Sequence, residues 1–158
     1  MNYKIRELDK KEISVLDDFL YEAIFLPDDS IVLPRNIIEK PELQVYIENW
    51  GKPDDLCLVA ECENKIVGAV WTRIMNDYGH IDNQTPSLAI SLYKNYRNKG
   101  IGTAIMEAIL RLLKSKGYSQ VSLAVQKENY AVKMYKKVGF KIVNQNSEEY
   151  IMLCTLQN

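Results

Sequence analysis

The sequence has little of what most metal and redox sites require. It contains one histidine, His80, and three cysteines, and none of them recurs at the spacing of a metal site. Cys57 and Cys62 lie in a strand-like apolar run, where buried thiols are common, so we interpret the cysteines, including Cys154, as reduced core residues. His80 follows Gly79, which favours a residue in a loop or at a strand end. No metal site is expected.

Long hydrophobic runs and an excess of one charge are also missing. No apolar run approaches the roughly 18 residues of a membrane-spanning helix, and the N-terminus lacks the layout of a signal peptide. The formal net charge is -1, so the composition does not favour nucleic acid or an anionic membrane as a partner. We therefore expect a cytoplasmic protein without a nucleic-acid or membrane partner. Its 158 residues suit one domain, 1–158, with its own core.

The order of apolar patterns predicts a mixed α/β (α+β) fold. Residues 101–116 form the clearest helix, with Ile101, Ile105, Ala108, Ile109 and Leu112 on one apolar stripe. The predicted strands are 3–8, 56–61, 65–74, 87–92, 119–125, 140–143 and 150–156, and the predicted helices are 11–25, 41–50, 101–116 and 129–138. This order predicts a central sheet of about six to seven strands with about four helices on both faces.

A glycine-containing turn joins the fourth predicted strand to the clearest helix. Its sequence is Arg97-Asn98-Lys99-Gly100-Ile101-Gly102-Thr103. A helix start has unpaired backbone N–H groups and the positive end of the helix dipole, and glycine lets an anion approach the backbone. The turn lacks the Gly-Lys-Ser/Thr of a Walker loop and the third glycine of a dinucleotide site. It therefore predicts a phosphate or pyrophosphate site, with two cations beside it.

A second segment follows after enough residues for a helix, a strand and a short loop. It contains Asn129, Ala131, Tyr135 and the pair Gly139-Phe140. Together with the Arg-x-x-Gly-x-Gly turn, this pattern resembles the GNAT family of N-acetyltransferases, over roughly residues 58–156. The resemblance implies the GNAT fold, with a mixed, mostly antiparallel sheet that is splayed at the acetyl-CoA site. It also implies direct transfer of an acetyl group from acetyl-CoA to a primary amine in a ternary complex.

The resemblance assigns roles to residues in both segments. Tyr135 would be the catalytic acid for the leaving thiolate, since a phenol with a pKa of about 10 is protonated at neutral pH. Asn129 would bind pantetheine, a role compatible with capping the helix that follows. A bulge would splay the fourth strand, where Lys94 stands in place of the proline of many members. The implied residues that bind acetyl-CoA, a co-substrate, are Ile90, Ser91, Leu92, Arg97, Asn98, Lys99, Gly100, Ile101, Gly102, Thr103 and Asn129.

The sequence leaves the general base and the acceptor open. Some members have a glutamate at the start of the fourth strand, where this chain has Pro86. The candidates for the base are Glu22, Asp82, His80 or a water molecule. A small-molecule amine is favoured over a protein N-terminus, but polyamines, aminoglycosides and amino acids are not distinguished. The acceptor pocket is expected from residues 25–50, 71–82 and 144–150.

Several side chains in these segments are candidates for acceptor contacts. Acidic residues would attract a cationic amine, and aromatic residues would form pocket walls. The acidic candidates are Asp28, Asp29, Asp77 and Asp82, and the aromatic candidates are Trp50, Trp71 and Tyr78.

Two other functions are compatible with the same residues. Without a carboxylate at position 86, the chain could be a non-catalytic module that binds acyl-CoA. It could also transfer an acyl group longer than acetyl. A homodimer formed through an edge strand is also compatible with the sequence.

Overall fold

The computed structural model describes residues 2–28 and 30–156. It contains β1 (Lys4–Glu7), β2 (Leu56–Cys62), β3 (Lys65–Arg73), β4 (Ser87–Leu92), β5 (Gln120–Gln126), β6 (Phe140–Gln145) and β7 (Glu149–Thr155). The helices are α1 (Val15–Ala23), α2 (Pro41–Gln44), α3 (Ile101–Ser115) and α4 (Ala131–Lys137). Short 3₁₀ helices cover Lys10–Glu12, Arg35–Glu39 and Lys94–Tyr96. The prediction of a mixed sheet with helices is confirmed.

The seven strands form one sheet in the order β1-β2-β3-β4-β5-β7-β6. All neighbouring strands are antiparallel except β4 and β5, which are parallel. A single bridge, between Ser87 and Ser122, joins this parallel pair. Beyond that bridge the two strands diverge, and the sheet opens between the C-terminal parts of β4 and β5.

The two faces of the sheet pack against different helices. On the face that we call the α3 face, Leu88, Leu123 and Met152 join the apolar stripe of α3 and residues of α4 in one core. On the opposite face, the α1 face, Ala69 and Trp71 pack against α1 and the residues around α2. Alternation along each strand separates the two cores, because successive side chains point to opposite faces.

The elements differ from their predicted bounds at the helices more than at the strands. The predicted second helix, 41–50, is only one turn, α2, followed by hydrogen-bonded turns to residue 49. A contact with Trp71 of β3 explains this difference. The Tyr46 carbonyl accepts a hydrogen bond from the Trp71 indole at 3.0 Å, instead of a hydrogen bond from the backbone of a longer helix. On α3, Leu113 is fully buried and Leu112 is only partly buried, a shift of one position from the predicted stripe.

The cysteines and the apolar segments have ordinary structural roles. Cys57, Cys62 and Cys154 are all buried and unpaired, so their interpretation as core residues is confirmed. Within residues 2–28 and 30–156, every helix is too short or too polar to cross a membrane.

Candidate active site

A cavity of about 1020 Å³ lies where β4 and β5 separate. Its walls come from α1 and the segment after it, β4 and the following turn, the start of α3, the second half of β5, and α4. Most of the predicted site residues line it: Ile90, Ser91, Leu92, Arg97, Asn98, Gly100, Gly102, Thr103, Asn129 and Tyr135. Two predicted residues, Lys99 and Ile101, are not among its lining residues.

The glycine-containing turn has the backbone geometry that an anion site requires. Asn98 and Gly100 both have positive φ angles, 59° and 85°, and the chain enters α3 directly afterwards. The first hydrogen bond of the helix runs from Ala104 N–H to the Gly100 carbonyl. The N–H groups of residues 101–103 therefore have no partner within the helix. Because the Ile101 side chain is 1% exposed and belongs to the core, Ile101 can bind a ligand only through its backbone.

The strand β4 presents further backbone donors to the opening. Tyr93 N–H donates to the Val67 carbonyl of β3. Hydrogen-bonding direction alternates along an antiparallel strand, so the N–H groups of Ile90 and Leu92 point away from β3 and towards β5. At these positions β5 is no longer paired with β4, so the two N–H groups point into the opening. The pairing of β4 with β3 has no register shift, so the expected bulge is absent from this side, and the splay comes from the divergence of β5.

Arg97 is held by the protein and is not a free cation beside the turn. Its Nε donates to the Leu92 carbonyl at 3.0 Å, and its Nη2 lies 3.5 Å from the Glu22 carboxylate. These contacts tie the end of β4 to the end of α1. Ser91 forms a second tie, because its hydroxyl donates to the Phe19 carbonyl at 2.6 Å.

Tyr135 is almost completely buried on the α3 face and borders the cavity. Its ring meets that of Phe140 edge-on, with centroids 6.0 Å apart. Burial raises the pKa of Tyr135, and the nearby Tyr130 adds to the effect. The phenol is therefore protonated throughout the neutral range.

Asn129 has the capping role that its position indicates. Its side-chain oxygen accepts a hydrogen bond from Ala131 N–H, the first residue of α4, at 2.9 Å. The amide NH₂ group of Asn129 is left to donate to a ligand in the cavity.

Of the predicted base candidates, only Glu22 borders the cavity, and its carboxylate is paired with Arg97. Asp82 is exposed, accepts from Gln84 N–H, and has a lowered pKa because of backbone hydrogen bonds in its own turn. His80 lies with Nδ1 2.9 Å from the Met75 carbonyl, in a loop outside the cavity lining. The structure therefore does not bring Asp82 and His80 together with Tyr135.

The aromatic candidates for pocket walls are placed elsewhere. Trp71 is fully buried in the core, and Trp50 stacks against Arg73 with the guanidinium carbon 5.2 Å from its ring centre. Tyr78 is exposed and does not border the cavity. One wall of the cavity is instead formed by residues between α1 and α2, by one residue of α2 and by one residue after it, namely Ile24, Phe25, Leu26, Ile31, Val32, Leu43 and Tyr46. Asp28 is exposed, and Asp29 lies outside the described residues.

The sequence places Glu149 in a segment expected at the pocket, 144–150, but does not single it out, and it gives no sign of a set of hydrogen-bonded hydroxyl groups nearby. Glu149 and Tyr46 both border the cavity. Tyr46 donates to one oxygen of Asp77 at 3.0 Å, and Ser87 donates to the other at 2.9 Å. Burial, followed by the negative charge of Asp77, raises the pKa of Tyr46. The pairing of β5 with β7 sets Glu149 opposite Gln126 and so brings it to the cavity.

Sequence comparison relates this chain to a large group of transferases. The sequence profile described as the acetyltransferase (GNAT) family matches residues 21–140. An N-alpha-acetyltransferase of Sulfurisphaera tokodaii is 30% identical over 130 residues, which cover 75% of this chain and 77% of the relative. An N-alpha-acetyltransferase of Saccharolobus solfataricus is 29% identical over 138 residues, which cover 80% and 82%.

Solved structures share the fold over the whole described chain. The PaiA N-acetyltransferase from Thermoplasma acidophilum, solved in complex with coenzyme A, has a TM-score of 0.74 at 21% identity and covers 98% of this chain and 99% of its own. An acetyltransferase of the GNAT family from Streptococcus pneumoniae has a TM-score of 0.70 at 23% identity, with coverage of 98% and 99%. These similarities support the predicted GNAT fold with its mixed sheet.

Proposed function

Since the chain belongs to the acetyltransferase (GNAT) family and is an acyltransferase, we propose that it transfers an acetyl group from acetyl-CoA to a primary amine. The proposed acceptor is a small-molecule amine, which attacks directly while both substrates are bound. The observation that carries this proposal is one cavity that is bordered at the same time by the glycine-containing turn, the residues of β4 whose N–H groups point away from β3, and Tyr135.

The backbone supplies most of the proposed contacts with acetyl-CoA. The pyrophosphate would bind the unpaired N–H groups of Ile101, Gly102 and Thr103, where the helix dipole favours negative charge. Hydrogen bonds to charged groups contribute roughly 1.5–3 kcal/mol each, so this contact would supply much of the affinity. The N–H groups of Ile90 and Leu92 would bind the pantetheine arm and the thioester oxygen. Asn129 would donate to a pantetheine amide.

Tyr135 is the proposed acid. As the amine nitrogen forms a bond to the carbonyl carbon, the carbon–sulfur bond breaks and sulfur takes the electron pair. The Tyr135 hydroxyl would give its proton to that sulfur and then recover one from water. The hydroxyl carries its proton when the reaction begins, because the pKa of Tyr135 lies above the neutral range.

Thermal unfolding with and without acetyl-CoA tests the proposed site. A ligand at 100 times its Kd adds about 2.7 kcal/mol, which raises the Tm of a domain of this size by roughly 5–10 °C. We expect this rise with acetyl-CoA and with coenzyme A, and none with adenosine. No rise at millimolar acetyl-CoA would contradict the site.

Turnover separates the proposed activity from its two rivals. Release of free thiol in the presence of an amine distinguishes an enzyme from a module that only binds acyl-CoA. Parallel assays with acetyl-, propionyl- and succinyl-CoA distinguish acetyl transfer from transfer of a longer group. We expect acetyl-CoA to give the highest kcat/KM.

The curated relatives favour one second acceptor. Two of them are named N-alpha-acetyltransferases, and each matches three quarters or more of this chain. A peptide with a free N-terminus is therefore the alternative acceptor, and it belongs in the same assay beside the small amines.

A further inference from the structure

We propose that Glu149 is the base that removes a proton from the acceptor, and that the acceptor is a cationic amine with an apolar body and no carboxylate beside the nitrogen. This inference rests on the proposed acetyl transfer and adds to it the missing proton acceptor. Glu149 would act from the face of the sheet opposite to Tyr135.

Alternation along β7 fixes the side on which Glu149 lies. Tyr150 and Met152 belong to the core on the α3 face, together with Tyr135. Neighbouring residues of a strand point to opposite faces, so Glu149 and Ile151 lie on the α1 face. Glu149 nevertheless borders the same cavity as Tyr135, because the opening between β4 and β5 connects the two faces. An acyl group in that opening is accessible to an acid from one side and a base from the other.

The carboxylate of Glu149 is the one that the surrounding protein leaves available. Within the described residues, it takes part in no ion pair and accepts no hydrogen bond. By contrast, Glu22 is paired with Arg97 at 3.5 Å. Both oxygens of Asp77 already accept hydrogen bonds from the hydroxyls of Tyr46 and Ser87, at 3.0 and 2.9 Å.

The charges around Glu149 favour proton uptake. Glu149 is half-buried, and burial raises its pKa, with the adjacent Glu148 as the second cause. Tyr46, which is hydrogen-bonded to Asp77, interacts electrostatically with Glu149 from the α2 side. On the other side, the Lys127 ammonium is committed to Gln145 at 2.7 Å. A carboxylate with a raised pKa is a better base at neutral pH than one at its ordinary value.

The side chains that line the cavity favour an apolar group on the part of the acceptor that carries the amine. Phe25, Leu26 and Val32 border it, and Val32 is 84% exposed. An apolar body that covers this wall would remove it from water. An acceptor carboxylate beside the ammonium would instead approach Glu149 and Glu22, where like charges repel.

The protons balance over one reaction. The ammonium gives one proton to Glu149, and the resulting neutral nitrogen forms the bond to the carbonyl carbon. The nitrogen loses its second proton to water as the amide forms. Tyr135 protonates the leaving sulfur and regains a proton from water, while Glu149 releases its own. The products are the amide, coenzyme A and one proton.

The first test compares Glu149→Gln with Glu149→Asp, and uses 2-phenylethylamine as the acceptor. This amine has a pKa near 10, like that of the lysine ammonium, and it is therefore cationic at pH 7. We expect Glu149→Gln to lower kcat/KM by at least 30-fold at pH 7, and Glu149→Asp to retain a larger share. The increase in Tm with acetyl-CoA should be unchanged in both variants, which also shows that they fold.

The pH profile separates a base from a merely structural residue. In the wild type, kcat/KM should fall as the pH decreases through the pKa of Glu149, and level off above it. In Glu149→Gln, kcat/KM should depend on the concentration of the neutral amine and rise about tenfold per pH unit up to pH 9. The difference in kcat/KM between this variant and the wild type should therefore shrink as the pH rises. Glu148→Gln, which removes the exposed neighbouring carboxylate, should change kcat/KM less than threefold. A Glu149→Gln variant within threefold of the wild type at pH 7 overturns the proposal.

The second test compares 2-phenylethylamine with phenylalanine, which differs from it by an α-carboxylate. We expect at least a tenfold higher kcat/KM for 2-phenylethylamine. If the wild type acetylates other amines but not this one, or prefers phenylalanine, the inference is wrong and the proposed function stands. If acetyl-CoA causes no increase in Tm, or no amine is acetylated, both fail.

Discussion

At the scale of single residues, the site depends on groups whose surroundings fix their state. Tyr135 is buried against Phe140, so its hydroxyl stays protonated. Gly100 has a φ angle of 85°, which residues with a side chain rarely adopt, and this angle directs the chain into α3. Tyr135 is the proposed acid and Gly100 sets the shape of the backbone, and each leads to a different prediction.

Tyr135→Phe removes the proposed acid and leaves the ring packing intact. We expect kcat to fall about 100-fold, the lower end of what general acid–base catalysis contributes, while the increase in Tm with acetyl-CoA is retained. Tyr118→Phe is the matched control, because Tyr118 donates to Asp54 outside the cavity. It should cost about 1 kcal/mol of stability and leave kcat unchanged. A Tyr135→Phe enzyme with near-normal kcat would show that the sulfur leaves without this acid.

Gly100→Ala and Gly117→Ala are a matched pair at the two ends of α3. Both glycines have positive φ angles, 85° and 92°, and an added Cβ would meet no atom within 4 Å at either site. Each variant should therefore lose about 1 kcal/mol from backbone strain alone. Only Gly100 borders the cavity, so only Gly100→Ala should weaken acetyl-CoA binding, by about tenfold in Kd. Equal binding by the two variants would contradict the placement of the pyrophosphate.

At the scale of elements, the position of β4 depends on its neighbour β3. Gly68 of β3 lies opposite Leu92, the last residue of β4. A Cβ at position 68 would come within 2.0 Å of the Leu92 side chain. Because Gly68 has no side chain, the Leu92 side chain can pack directly on β3. This contact also positions the Leu92 N–H group, which points into the opening.

Gly68→Ala should displace Leu92 and disturb the site from a distance. We expect a loss of about 1–3 kcal/mol of stability from overpacking and weaker binding of acetyl-CoA. The double variant Gly68→Ala with Leu92→Ala removes the clash, so it should bind acetyl-CoA more tightly than Gly68→Ala alone. Denaturant unfolding and the ligand-dependent Tm measure the two effects. Additive losses in the double variant would show that the two residues are not coupled.

A charge network holds β1 to the turn that follows it and to β2. Arg6 bonds to Glu12 at 2.7 Å and to Glu61 at 2.9 Å. The hydrogen bond from Arg6 lowers the pKa of Glu12 from 4.5 to about 2, with a further contribution from Asp9 N–H. The stabilisation is complete above the unfolded pKa of 4.5 and is lost as the pH falls towards 2.

Glu12→Gln should therefore destabilise the protein at pH 7 and much less near pH 2. The expected loss at pH 7 is about 1 kcal/mol, because the pair is partly exposed. Urea unfolding at the two pH values measures it. Glu7→Gln, an exposed residue of the same strand, should be neutral at both. A loss that is independent of pH would show that the charge of Glu12 is not what stabilises the protein.

Local pattern predicts most elements of this fold and only part of its site. Strand β4 and helix α3 begin where predicted, because alternation and the glycine turn are encoded within a few residues. The predicted seventh strand started at residue 150 and left Glu149 in a turn, yet the strand begins at Glu149. Its place in the cavity depends on pairing with Gln126, 23 positions earlier, and the Tyr46–Asp77 bond spans 31 positions. Such long-range contacts have no signal in local sequence.

At the scale of the whole molecule, the sheet consists of two parts with one bridge between them. Strands β1–β4 and strands β5–β7 are joined in the sheet only by the Ser87–Ser122 bridge, among the described residues. The α3 core packs across both parts. A ligand that bonds to β4 and also contacts β5 would therefore connect two parts that the sheet itself joins weakly.

Amide hydrogen exchange measures this connection. Acetyl-CoA should slow exchange in β4 and β5 by more than tenfold, because opening of the gap then requires loss of the ligand. Exchange in β1, at the far edge of the sheet, should slow much less. Adenosine serves as the control and should leave both patterns unchanged. A uniform slowing over all seven strands would indicate global stabilisation without bridging.

The proposed anion site consists of peptide N–H groups, and this composition affects which mutations can change the site. A peptide N–H is present with every side chain except proline, so a mutation in the turn that keeps the shape of the backbone leaves these donors in place. The proposed acceptor wall consists of side chains such as Phe25, Leu26 and Val32, where a mutation changes shape or charge directly. If both sites are as proposed, we expect descendants of this chain to change their acceptor more readily than their acetyl donor.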